Sequence, residues 1–239
     1  PSASQPLLLS MAGSFRSVSR SSSVRANILA FESVGLLVVQ FVAIERLLSP
    51  AAGVVRRQLL IAFAAVYLLR LNVMARWILA RELAIEEITL VTLVWIPAML
   101  ASFTAGAALC GSDLSLIEIF LAVAAYSLGS YLNTYSELQR KRWKQRPENS
   151  GRCYTLGLFS LSRNINYLGD VILFAGWALL SSAWWNAWVP LTMASIFYFH
   201  HIPDKEAYLA KRYARDWPSY SAKTPSFIPW SNSIVGSKG

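Results

Sequence analysis

Three short stretches of the chain carry polar side chains at helical spacing. Asn133, Glu137, Arg140 and Lys144 recur three or four residues apart and share one face of a helix. Arg163, Asn166, Tyr167 and Asp170 do the same on a following segment. A third stripe, His201, Asp204 or Lys205, Tyr208 and Arg212, lies further on. Arg and Lys neutralise phosphates, Arg in bidentate geometry, while Asn, Asp and Glu exchange hydrogen bonds with hydroxyls and amides. Two arrangements satisfy this spacing. The stripes can line a cofactor pocket, or they can pair with one another as a salt-bridged cap that holds the C-terminal segment on the rest. Asp170 is expected about two turns inside its helix, deep enough that it must be paired, protonated or hydrogen-bonded to a ligand.

Other chemistries lack their residues. His200 and His201 are adjacent, so on a helix they diverge and do not chelate one metal. The two cysteines, Cys110 and Cys153, are far apart and outside any metal-ligand spacing, which argues against a disulfide framework and a zinc site. No glycine-rich phosphate loop surrounds Gly157 or Gly169, and no Ser-His-Asp order is present. We expect no metal.

The elements that position the stripes are membrane helices. The 239 residues are 55% hydrophobic and 15% charged, outside the balance of a soluble domain. Apolar runs at about 28–48, 59–79, 88–109, 114–132, 165–180 and 184–199 predict an all-α polytopic bundle of about six transmembrane helices. Pro97 is expected to kink the third span. Trp184, Trp185 and Trp188 are expected at a membrane interface. A short amphipathic helix is expected after Pro203. The formal net charge of +9 is concentrated before Asn27, between Arg140 and Arg163 and after Pro203. With six spans these regions share one side and the opposite loops keep only Arg56 and Arg57, as the positive-inside rule requires. The same pattern suits an anionic lipid surface. Because the basic residues sit beside membrane segments, nucleic acid is not an expected partner.

Residues 1–27 contain three Arg, many Ser and no acid. That is the composition of an organellar transit segment or of a flexible basic tail, and it is expected to meet a partner subunit if ordered. The remainder, 28–239, reads as one membrane domain.

From about Gly129 to Trp230 the run GSYLNTYSELQRKRWKQRPENSGRCYTLGLFSLSRNINYLGDVILFAGWALL, the run FHHIPDKEAYLAKRY and a closing FIPW resemble the C-terminal domain of the steroid 5-alpha-reductase-like membrane proteins. The likeness is to an uncharacterised branch of that superfamily, related more distantly to sterol reductases and isoprenylcysteine carboxyl methyltransferases. It implies a cofactor held at the polar block and a lipid substrate admitted through the membrane. Asn133, Glu137 and Arg140 match the family's polar stripe, and Asn166, Tyr167 and Asp170 match its N-(F/Y)-x-G-(E/D) element. Arg163 joins this cofactor set, and Tyr208 matches a tail tyrosine. Glu206 is similar to one acid of the methyltransferase pair. Asn164 stands where the methyltransferases have His, while Pro203-Asp204-Lys205 and Pro225-Ser226 replace basic positions.

The expected function is NADPH-dependent reduction of a double bond in a sterol, isoprenoid or other lipid, with Tyr208 or Glu137 as the acid. The alternative is a catalytically silent accessory subunit of an organellar, mitochondrial respiratory, membrane complex. A third is methyl transfer from S-adenosylmethionine. Expected partners are membrane lipids, a lipid substrate or structural lipid, and other membrane subunits. The expected location is an organellar membrane, the mitochondrial inner membrane first, with chloroplast or endoplasmic reticulum membrane as alternatives.

Overall fold

The computed structural model describes residues 23–48, 53–78, 88–110 and 114–229, so residues 1–22, which make up most of the basic N-terminal segment, lie outside the described residues. Among the described residues the elements are helices, with no strand. They are α1 (Ser23–Leu47), α2 (Val54–Val73), α3 (Ile96–Leu109), α4 (Leu116–Lys144), α5 (Ile165–Ser181), α6 (Trp188–Ile196), α7 (Ile202–Arg212) and α8 (Trp217–Lys223). Four helical stretches, Ala26–Leu47, Val54–Ile78, Leu90–Leu109 and Leu116–Lys144, are long and apolar enough to cross a membrane. The predicted fifth span is the shorter apolar helix α5. The sixth begins with a tight turn at Trp184–Ala187 and continues as α6.

Local chemistry explains several boundaries. Before α4, Ser115 and Glu118 form a reciprocal cap: the Ser115 backbone N–H donates to Glu118 Oε2 at 2.8 Å and the Glu118 N–H donates to Ser115 Oγ at 3.3 Å. At the other end of α4, Asn149 Nδ2 donates to the Trp143 carbonyl at 2.8 Å. Two prolines each follow a widened turn. Leu90–Trp95 and Phe197–His201 are π-helical, and Ile96 and Ile202 bond five residues back, to Val91 and Phe197. Pro97 and Pro203 lack an N–H and would clash with the carbonyl four residues before them; the wider turn relieves this without breaking the helix. The expected separate tail helix is therefore a continuation: the chain stays helical from Trp188 to Arg212.

The chain divides into two compact units, 1–126 with 175–189 and 127–174 with 190–239. In the first, Trp177 is fully buried. It stacks on Phe103 at 5.2 Å between ring centroids and meets Phe63, Tyr67 and Tyr126 edge-on. Arg56, expected in a solvated loop, is 1% exposed and donates to Ser182 Oγ at 2.8 Å, and Arg57 lies 3.6 Å from Glu45. Tertiary packing folds both charges back onto the protein, a choice that charge counting along the chain does not register. Thr92 Oγ1 lies 2.7 Å from Glu32 Oε2, giving the intramembrane acid a polar neighbour. Outward residues such as Phe31, 82% exposed, are apolar, as a lipid-facing surface requires.

In the second unit, α4 and α5 meet backbone to backbone. A Cβ on Gly129 would lie 2.3 Å from the Leu173 nitrogen and 2.4 Å from the Gly169 carbonyl oxygen. One on Gly169 would lie 2.6 Å from the Asn133 nitrogen. Small residues let membrane helices approach this closely, and the approach brings Asn133 to the base of Asp170.

A candidate functional site on α4, α5 and α7

Asn133, the first polar residue of the α4 stripe, is 7% exposed. Its Nδ2 donates to Asp170 Oδ2 at 2.9 Å and to the Asn166 carbonyl at 3.1 Å. One turn further along α4, Glu137 is buried and accepts on both oxygens. Asn166 Nδ2 donates to Oε1 at 3.1 Å, and Arg140 Nε donates to Oε2 at 2.9 Å while Arg140 Nη2 closes on the same oxygen. The remaining acceptor of Asn166, Oδ1, faces Lys205 Nζ at 3.5 Å. Five of the residues expected from the sequence, Asn133, Glu137, Arg140, Asn166 and Asp170, thus form one hydrogen-bonded chain, whose amides separate the two carboxylates.

Lys205 extends that chain onto α7. Its Nζ lies 4.7 Å from the centre of the Tyr167 ring and 5.7 Å from that of Phe159, and Tyr167 is stacked on Phe197 at 4.4 Å. Burial pushes the Lys205 ammonium down to about 8, with the Glu137 carboxylate pulling the other way and Arg140 adding to the fall. The sequence offered Asp204 or Lys205 for this position. The structure leaves Asp204 exposed and turns Lys205 inward, on the face of α7 that packs over Tyr167 and Phe159.

Tyr208 and Arg212 stand one turn apart further along α7. Arg212 Nη1 donates to Tyr208 Oη at 2.8 Å and Arg212 Nε to Tyr213 Oη at 3.2 Å. Tyr213 Oη also accepts from Lys144 Nζ at 2.9 Å. Lys144, Lys205 and Arg212 therefore direct these hydrogen bonds to neutral oxygens. Tyr213 was invisible to the stripe argument because it lies just past the helix end.

Arg163 is placed apart from this group. Its Nε and Nη2 donate to the two oxygens of Glu206 at 3.0 and 2.9 Å, and Nη1 donates to the carbonyls of Ser221 and Thr224 at 2.6 and 2.5 Å. Asn164 Nδ2 and Ser226 Oγ reach Glu206 Oε1 at 3.0 and 2.7 Å. Burial pushes the Glu206 carboxyl up, but the bonds from Arg163, Ser226 and Asn164 outweigh it and hold the group below the usual carboxylate range. Pocket and cap were open alternatives for the stripes. Arg163, Asn164, Glu206 and Ser226 make a cap that ties α8 and the following residues to the start of α5, beside the network on α4. The replacements at Asn164 and Ser226 each supply one of its bonds.

No cluster of three or more His, Cys, Asp or Glu suited to a metal occurs among the described residues. Apolar helices of spanning length and a hydrogen-bonded polar network on α4, α5 and α7 define a polytopic helical membrane protein. The chain belongs to DUF1295, a family of proteins of unknown function, whose model matches residues 83–224. A search of curated proteins gives no match.

Proposed function

We propose that the protein is a membrane-embedded reductase that binds NADPH at the network on α4, α5 and α7 and reduces a carbon–carbon double bond of a lipid. The observation that carries this reading is the set of cations Lys144, Lys205 and Arg212, whose hydrogen bonds end on neutral oxygens beside the buried Asn133, Glu137 and Asn166 and the half-buried Asp170. That donor set suits a polyphosphate flanked by hydroxyls and amides. Arg140, Lys144, Lys205 and Arg212 would hold the phosphates, and Asn133, Asn166 and Asp170 the hydroxyl and amide groups, with Tyr167 as an apolar face.

Bound there, NADPH would supply a hydride to one carbon of the double bond. The second carbon needs a proton. Glu137 accepts on both oxygens and is suited to hold Asn166 and Arg140 in position. Tyr208 is the better donor, because Arg212 hydrogen-bonds the phenol oxygen and stabilises the charge that develops as its proton leaves. The apolar lengths of α4 and α5 that lead to the network would let a sterol or isoprenoid enter from the bilayer, and a bundle of about six spans, with α5 and α6 as the last two, is part of the proposal.

The test is a fluorescence titration of purified protein with NADPH, followed by product analysis with lipid enones and dienes. Saturable binding is expected. Lys205→Gln is expected to weaken it about tenfold or more, the loss of one charged hydrogen bond. Tyr208→Phe should bind as the wild type does while turnover falls roughly a hundredfold or more. Absence of saturable binding would sink the proposal.

A second reading, an accessory subunit without chemistry in an organellar complex such as a mitochondrial one, is favoured by the commitment of Arg163 to the cap. It expects no turnover and a fold kept by the Glu206 contacts. S-adenosylmethionine transfer is weaker, since Asn164, buried in the cap, stands where a titratable group would act.

A further inference from the structure

A second surface of the same unit adjoins the network, shares Lys144 and Arg212 with the proposed cofactor site, and extends beyond it. The end of α4 and the loop after it, residues 141–152, together with 211–217, contain eight Lys and Arg and only two acids, Glu148 and Asp216. Contacts make the two segments one surface. Lys144 Nζ bonds Tyr213 Oη and the Arg152 carbonyl, Arg152 lies 3.7 Å from Asp216, and the Cys153 N–H donates to Asp216 Oδ2 at 2.9 Å. Arg142, Arg146, Lys211 and Arg215 are exposed on it. Their position relative to a bilayer can be read along α4. Leu128 and Tyr131 are 50% and 49% exposed, and Tyr131 stacks on the exposed Tyr135 at 5.0 Å. Outward tyrosines on a spanning helix mark the level of the headgroups. At the usual helical rise Arg142 lies about 10 Å beyond Tyr135, at the depth where a cation meets lipid phosphates and within about one Debye length of the membrane surface.

We propose that this basic surface binds anionic phospholipid headgroups of the adjoining leaflet. Continuity along α4 favours a lipid over a soluble polyanion: the same helix carries the apolar face, then the interfacial tyrosines, then the exposed cations. Phosphate-bearing headgroups supply the charge that Glu148 and Asp216 do not. The proposal is independent of the nucleotide reading, because none of Arg142, Arg146, Lys211 and Arg215 contributes to the network.

The experiment uses the full chain in nanodiscs of phosphatidylcholine and phosphatidylglycerol at equal amounts, with retained lipid counted by native mass spectrometry after transfer to detergent. Wild-type protein is expected to retain phosphatidylglycerol several-fold over phosphatidylcholine at low salt, the excess fading at 0.5 M salt as screening requires. The variant carrying Arg142→Gln, Arg146→Gln, Lys211→Gln and Arg215→Gln is expected to show a ratio near one with an unchanged helical circular-dichroism spectrum. A second variant, Arg142→Gln with Arg146→Gln alone, changes only two exposed side chains; it is expected to lower the enrichment part of the way, and it decides the matter if the fourfold variant fails to fold. Equal retention of the two lipids by the wild type, enrichment indifferent to salt, or a folded neutral variant that keeps the excess overturns the proposal.

Discussion

Replacing Glu206 with Ala tests the cap that holds the C-terminal segment. The carboxylate receives four hydrogen bonds, two from Arg163 and one each from Asn164 and Ser226. The Arg163 side chain is 11% exposed and that of Glu206 20%, so truncation leaves a mostly buried guanidinium without its counter-charge. Removing one member of a buried pair costs about 3–5 kcal/mol, and the residual exposure of Glu206 places the expectation at about 3 kcal/mol. Hydrogen exchange reads this directly, because Arg163 and Asn164 also hold the carbonyls of Ser221, Thr224 and Ser226. Opening of residues 217–227 should become roughly a hundredfold easier. Glu206→Gln keeps an acceptor for Asn164 and Ser226 and should fall between. The pH dependence has a definite sign. The carboxyl sits below its ordinary value when folded, so its contribution is complete above the unfolded value and is lost as pH falls through the folded one. Protection in the wild type should weaken in acid, and Glu206→Gln should lack that step. A change in exchange of less than about threefold for the Ala variant would show that these bonds do not hold the tail.

Gly129→Ala should destabilise by about 3 kcal/mol, since the new methyl meets the Leu173 and Gly169 backbones, whereas Gly35→Ala, with nothing within 4 Å, should be neutral or slightly stabilising; thermal unfolding in detergent separates them. Lys205 is held near 8 when folded against 10.5 for the free side chain. Between those values the unfolded chain binds the extra proton, so this residue makes stability rise with pH across that window. The difference between wild type and Lys205→Met, followed by unfolding at pH 7, 8, 9 and 10, should show that rise, and a flat difference would refute the burial of this ammonium.

Periodicity made the stripe on α4 legible: Asn133, Glu137 and Arg140 share a face whatever they touch, because helical spacing is a local property. Asn166 and Asp170 were legible for the same reason. Arg163, three residues before Asn166, looked equivalent, and its separation from the network could not be read from spacing. Its partner Glu206 is far away in sequence, and which cation meets which acid depends on where the chain returns. Lys205 and Asp204 are equally placed by spacing, and only the packing of α7 over Tyr167 and Phe159 turns Lys205 inward. Arg56 looked like a loop charge and is buried against Ser182, again a contact between distant residues.

Composition and hydrophobic runs by themselves determined that this is a helical membrane protein with a polar block at helical spacing, since a bilayer forces backbone groups to bond within each segment. Only tertiary structure decided how that block divides. The glycines at 129 and 169 let α4 and α5 touch, which joins the buried Asn133, Glu137 and Asn166 with the half-buried Asp170 in one network. The returning tail takes Arg163 into a cap, because a buried guanidinium is satisfied by the carboxylate that packing brings to it.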